Sequence, residues 1–82
     1  MIATEEEFAK FKKLPPSLKR IAAYIALGCD SVEIAQELGL SSATIHSYKT
    51  RLRQAVAIEP TLKLAVFIVR HPQIEKMLRE SL

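Results

Sequence analysis

The 82-residue chain has no tryptophan, one cysteine and two glycines. A single thiol, Cys29, cannot close an internal disulfide, so a cross-linked scaffold is excluded, and we expect a buried or half-buried thiol beside a helix start. Alternating apolar and polar runs bounded by turn residues are missing, which argues against a sheet. The most apolar run, LKLAVFIV at residues 62–69, is too short to span a bilayer. The N-terminus is acidic and lacks the apolar stretch of a secretory leader, so a cytoplasmic protein is expected. Catalytic patterns are missing too. His46 and His71 lie far apart and have no cysteine or acid at metal-ligand spacing. Ser41, Ser42, Ser47 and Thr50 form no nucleophile arrangement with a histidine base. There is no glycine-rich phosphate loop and no paired carboxylate site. The expectation is a protein with no enzyme activity, no metal or other cofactor, and no small-molecule ligand.

What is present is helical patterning. Apolar residues make up 49% of the chain, enough for one small domain over residues 1–82 to bury a core without metal or disulfide support. The fold class expected is all-α. Thr4 precedes three glutamates, with Glu7 at capping-box spacing, so a helix should run over residues 5–13. Phe8 and Phe11 form its apolar side, with Ile2 or Leu14 nearby. The pair Pro15-Pro16 ends it and opens a second helix over 16–27, since proline is tolerated in a first turn. Leu18, Ile21, Ala22, Ile25 and Ala26 fall at core spacing there, and Gly28 closes it. Further helices are expected over 31–38, 42–56, from 60 to 69 or 70, and over 73–81.

The segment DSVEIAQELGLSSATIHSYKTRLR, residues 30–53, is the most informative part of the chain. Asp30 and Glu33 form a second capping box, and Ser41 can cap the following helix. Gly39 falls where the first of these helices ends and takes a left-handed conformation without steric cost. Ala35 lets a neighbouring helix pass close, and Ile45 can lock the second helix onto the first. Ile34, Leu38, Leu40, Tyr48 and Leu52 supply the buried face. This is the pattern of a helix-turn-helix, whose second helix enters the DNA major groove.

Charge supports that reading by segment more than in total, since the net is only +3. Residues 1–40 carry five lysines or arginines and six acids; residues 59–82 carry four and three. Residues 41–58 carry Lys49, Arg51 and Arg53 and no acid. Cations beside phosphates release counterions and give sequence-independent affinity. The expected DNA side is Ser42, Ala43, Thr44, His46, Ser47, Lys49, Thr50, Arg51 and Arg53. His46, Ser47 and Thr50 are the expected base readers; Thr44, Lys49, Arg51 and Arg53 are the expected phosphate contacts. Ile45, Leu52 and Val56 should face the core, with Tyr48 partly buried.

The helix opened by Pro60 is apolar nearly all round. Leu62, Ala65, Val66 and Val69 make one face, and Leu64, Phe67 and Ile68 another. One face should pack on the domain. The other should be covered by a second chain or by the last helix, through Ile74, Met77, Leu78 and Leu82. Symmetric dimers read paired half-sites on DNA. The expectation is therefore a homodimer through residues 60–82, with Leu64, Phe67 and Ile68 in the interface.

Residues 14–58 resemble the LuxR-type (GerE-type) helix-turn-helix domain of bacterial transcription regulators. The residues that carry the resemblance are Leu14, Pro16, Gly28, Glu33, Ile34, Ala35, Leu38, Ser41, Thr44 and Ile45, in register without a gap. Leu52 and Val56 continue the apolar positions, and Ala65-Val66 match a common alanine-valine pair. A sigma-factor region-four domain usually has a longer connection before its glutamate-isoleucine-alanine. The resemblance implies a small helical domain with a central helix-turn-helix, here with extra N- and C-terminal helices. It implies sequence-specific binding of double-stranded DNA, and a final helix that forms a dimer interface. The chain departs from the family pattern at His46, where lysine is common, at Tyr48, where histidine is common, at Arg51, where asparagine is common, and at Ala55-Val56. DNA contact is therefore carried over by position, and preferred bases are not. The chain is expected to be a stand-alone version or an excised fragment. An alternative of another class is a protein-interaction module of the same fold that binds and modulates another regulator.

Overall fold

The computed structural model of the chain describes residues 4–82, and all regular structure among them is helical. The helices are α1 (Glu5–Lys12), α2 (Pro16–Ala26), α3 (Ser31–Leu38), α4 (Ser42–Val56), α5 (Thr61–Val69) and α6 (Pro72–Arg79). The expected all-α class is the observed one. Helix ends differ by one or two residues: α1 stops at Lys12, α2 at Ala26 and α6 at Arg79, where the last turns tighten. Ile2, considered for the face of α1, lies outside the described residues; Leu14 is buried.

Local chemistry fixes the helix starts. The Thr4 hydroxyl accepts from the Glu7 amide at 3.1 Å, and the Glu7 carboxylate accepts from the Thr4 amide at 2.9 Å. That backbone hydrogen bond from Thr4 holds the Glu7 carboxyl below its ordinary pKa. Asp30 and Glu33 repeat the exchange at 2.8 and 3.0 Å. The Ser41 hydroxyl accepts from the Thr44 amide at 3.1 Å and starts α4. Between α3 and α4 the chain turns at Gly39, with φ of 67° and ψ of 33°. The Leu40 amide then closes back on the Ala35 carbonyl at 3.0 Å. A Cβ at Gly39 would meet nothing within 4 Å, so the demand is on the backbone alone. Gly39→Ala should therefore cost about 1–2 kcal/mol, the penalty of a left-handed L-residue. Thermal unfolding checks this; an unchanged midpoint would show that the turn tolerates alanine.

α2 is the central helix and packs against α4, α5 and α6, while α3 lies against α4. α1 rests on α4 and α6. One cluster joins Phe11, Ile21, Ile34, Ile45, Leu52, Leu64, Ile68, Ile74 and Leu78, all without appreciable solvent contact. Each such side chain contributes roughly 1.5–3 kcal/mol of burial before entropy is counted. The Phe11 ring stacks on Phe67, 5.8 Å between centroids, and Phe67 lies against the His71 ring at 4.1 Å. His71 is the residue before α6 and is buried, with its Nδ1 2.6 Å from the Phe67 carbonyl. A carbonyl only accepts, so Nδ1 carries the proton. This histidine thus stands at the start of α6 and is also a buried, packed joint between α5 and α6.

Two expectations need correction. Leu40, expected on the buried face, is 40% exposed, because it follows the glycine turn outside both helices and edges a surface depression with Leu38 and Tyr48. On α5, Leu64 and Ile68 are both 0% exposed and belong to the chain's own core, held between α2 and α6. Phe67 is half-buried and occupied by its aromatic neighbours. The two faces of α5 are split as the spacing predicts, but the outward one is Leu62, Val66 and Val69. An interface on α5 must use those residues and not Leu64 or Ile68.

Candidate nucleic-acid interface

α4 is a 15-residue helix that presents one face inward and one outward. Ile45, Leu52 and Val56 are buried, and Tyr48 is half-buried, as their spacing requires. Ser42, Ala43, His46, Ser47 and Arg51 are exposed on its solvent side. Thr44, Lys49, Thr50 and Arg53 are partly covered. At the start of α4 the side chains are short, so a nucleic-acid surface can approach the backbone there. The Ser41 and Thr44 hydroxyls lie 2.9 Å apart at that end. The helix dipole and free amides add an attraction for phosphate.

Side-chain directions refine the expected roles. The Thr50 hydroxyl donates to the His46 carbonyl at 3.1 Å, so its proton is taken up within the helix and its methyl is the group left for an apolar contact. That methyl suits contact with a thymine methyl. The Arg51 guanidinium sits 5.9 Å from the Tyr48 ring centre, a cation–π contact that leaves its donors available. Lys49 and Arg53 are different, because both reach along the protein. Lys49 Nζ donates to Ser31 Oγ at 2.8 Å, at the start of α3. Partial burial lowers the Lys49 pKa; Asp30 acts in the opposite sense, and Arg53 adds to the lowering. Arg53 Nη1 donates to Thr61 Oγ1 at 2.8 Å, and its Nε lies 3.7 Å from Glu59 Oε1. These two cations therefore join α4 to the first residues of α3 and α5.

Gln54 escaped the sequence reading. It is exposed, four residues after Thr50 and seven after Ser47, on the same side of the helix. It is neither charged nor small, and its helical spacing is the signal that marks it. A glutamine amide there has the donor–acceptor pair that fits adenine in the major groove.

Among the described residues no group of three or more His, Cys, Asp or Glu is placed to hold a metal ion. No described helix is long and apolar enough to cross a membrane. Cys29 is half-buried, and partial burial pushes its thiol pKa up, with Glu33, Glu37 and Asp30 adding to the shift.

A capped helix, a left-handed glycine turn and a second capped helix with an acid-free outward face together define a helix-turn-helix domain. The family model of bacterial regulatory proteins of the luxR family (GerE) matches residues 19–66, more than half of the chain. The chain belongs to this family of DNA-binding transcription regulators. The match begins inside α2 and ends at Val66 in α5, so α1 and α6 lie outside it, as do Leu14 and Pro16. No curated protein matches the chain significantly, and no solved structure does.

Proposed function

We propose that the chain is a sequence-specific regulator of transcription that binds double-stranded DNA as a homodimer, with α4 in the major groove. The observation that carries this reading is the outward face of α4. It is acid-free from Ser41 to Ile58, short-chained at its capped end, and set behind the glycine turn. His46, Ser47, Thr50 and Gln54 line that face and read base edges; Ala43 permits close approach. Ser42, Thr44, Lys49 and Arg51 serve the phosphates. Residues 14–58 form the reading core, and the segment from 60 onward supplies the assembly surface.

The assembly surface is the outward ridge of α5. Leu62 is 74% exposed, Val69 52% and Val66 41%, an apolar ridge without acids. Shallow open depressions flank Val66, one toward Leu62 and His71 and one toward Ile25 and Ala65, and both are lined by Arg70. A two-fold axis near Val66 would set the ridge of each copy into a hollow of the other, which is the self-complementarity that an isologous contact needs. Such a pairing buries apolar area that water otherwise covers.

Selection from a random-sequence duplex library tests the reading as a whole. It should recover a two-fold symmetric site whose half-sites are about one DNA turn apart, roughly 34 Å. Enrichment of one asymmetric half-site would contradict the dimer. No enrichment at all would contradict sequence-specific binding and leave a protein-binding role for the fold.

A further inference from the structure

We infer that Arg53 is a positioning residue that fixes the angle between α4 and α5, and through it the half-site spacing that the dimer accepts. The inference rests on the dimeric DNA-reading function proposed above. The joint it controls is short. Ala57, at φ 57° and ψ 39°, ends α4, and Thr61 begins α5. Pro60, the residue before α5, offers no side-chain hydrogen bond to the helix start. The tie at that start comes from α4 itself. Arg53 Nη1 donates to Thr61 Oγ1 at 2.8 Å, while Nε faces Glu59 Oε1 at 3.7 Å. The Arg53 side chain is only 20% exposed.

A guanidinium hydrogen-bonded to Thr61, the first residue of α5, with a looser ion pair to Glu59 in the linker, restrains movement of that helix start against α4. A cation beside the positive end of a helix is electrostatically disfavoured, and Glu59 offsets that. The arrangement is thus costly for a mere surface cation and apt for a brace. In a two-fold assembly a change at the α4–α5 joint acts in both copies. It alters the distance between the two recognition helices and leaves each helix's reading of its own half-site intact. Lys49 braces α4 to α3 on the same flank, inside the helix-turn-helix, and so has no such effect on spacing.

The test uses the full chain, duplexes built from the selected half-site at the native spacing and at one base pair longer and shorter, and two substitutions. Arg53→Met removes the guanidinium and keeps the apolar stem. Thr61→Val removes the acceptor and keeps both the β-branched shape and the Arg53 charge. Circular dichroism melting identifies any variant that fails to fold, and Thr61→Val decides alone if Arg53→Met does. Both variants should select the unaltered half-site, keep the salt slope, and lose about tenfold in preference for the native spacing, the ratio that one charge-assisted hydrogen bond supports. The double variant should be no worse than either single one. If Arg53→Met instead lowers the salt slope by about one unit while Thr61→Val keeps the native preference, Arg53 is a phosphate contact and the inference is overturned. Fixed spacing in the unmutated chain with equally strict variants overturns the inference alone. An unmutated chain that binds single half-sites overturns both the dimer and the inference.

Discussion

Ile68→Glu should unfold the chain, whereas Val66→Glu should leave it folded, monomeric and poor at binding DNA. The two residues are neighbours on α5 and differ only in the face they occupy. Ile68 has no exposed surface and sits in the cluster that joins α2, α5 and α6. A carboxylate there has no cationic partner in the core, and an unpaired buried charge together with lost packing costs at least about 4 kcal/mol, a large share of what a domain of this size can spare. Val66 is 41% exposed on the outward ridge. Glutamate at that position is solvated in the single chain, so folding is untouched. In the proposed dimer the two-fold axis would bring two such carboxylates together in a desolvated patch, where truncation of a central residue alone typically costs ~2 kcal/mol or more. Thermal melting separates the first effect, and sedimentation at micromolar concentration separates the second. A folded Ile68→Glu chain would show that α5 packs differently. A dimeric Val66→Glu chain would place the assembly surface elsewhere.

Ser47→Glu should abolish DNA binding, with at least about a hundredfold loss, while leaving melting unchanged. Ser47 is exposed at the middle of the outward face and makes no contact that the fold requires. In the proposed complex a carboxylate at that position would meet base-edge acceptors and phosphates in the groove, and like-charge juxtaposition at an interface costs several kcal/mol. Lys49→Ala gives the contrast. It should weaken binding to every sequence alike and flatten the salt slope by about one unit. Electrophoretic mobility or anisotropy on the selected duplex measures both. Full binding by Ser47→Glu would take the middle of α4 out of the groove, and an unchanged slope for Lys49→Ala would make its Ser31 contact purely structural.

The parts of this molecule that are written locally are legible in its sequence. Thr4 with Glu7, and Asp30 with Glu33, show both capping boxes by spacing, and the structure makes both. Gly39 announces the turn because few other residues take its backbone conformation cheaply. Ile45, Leu52 and Val56 follow from helical period alone. What the sequence conceals is tertiary. The apolar stripes of α5 are equally greasy, and only the packing of α2 and α6 decides that Leu64 and Ile68 turn in and Val66 turns out. Lys49 and Arg53 read as free cations because their partners, Ser31 and Thr61, stand 18 and 8 residues away and carry no charge. The burial of His71 at the start of α6 is likewise hidden, because it depends on α1 bringing Phe11 onto Phe67. Gln54 carries no charge, and its spacing from Ser47 and Thr50 is its one mark in the sequence.

The most direct measurement is fluorescence anisotropy of the unmutated chain with the selected duplex and with a shuffled duplex of the same composition, each at about 50 and 200 mM salt. The account predicts that the selected duplex is bound at least about a thousandfold more tightly, with both affinities falling as salt rises. Equal affinity for the two duplexes, or binding that ignores salt, would contradict it.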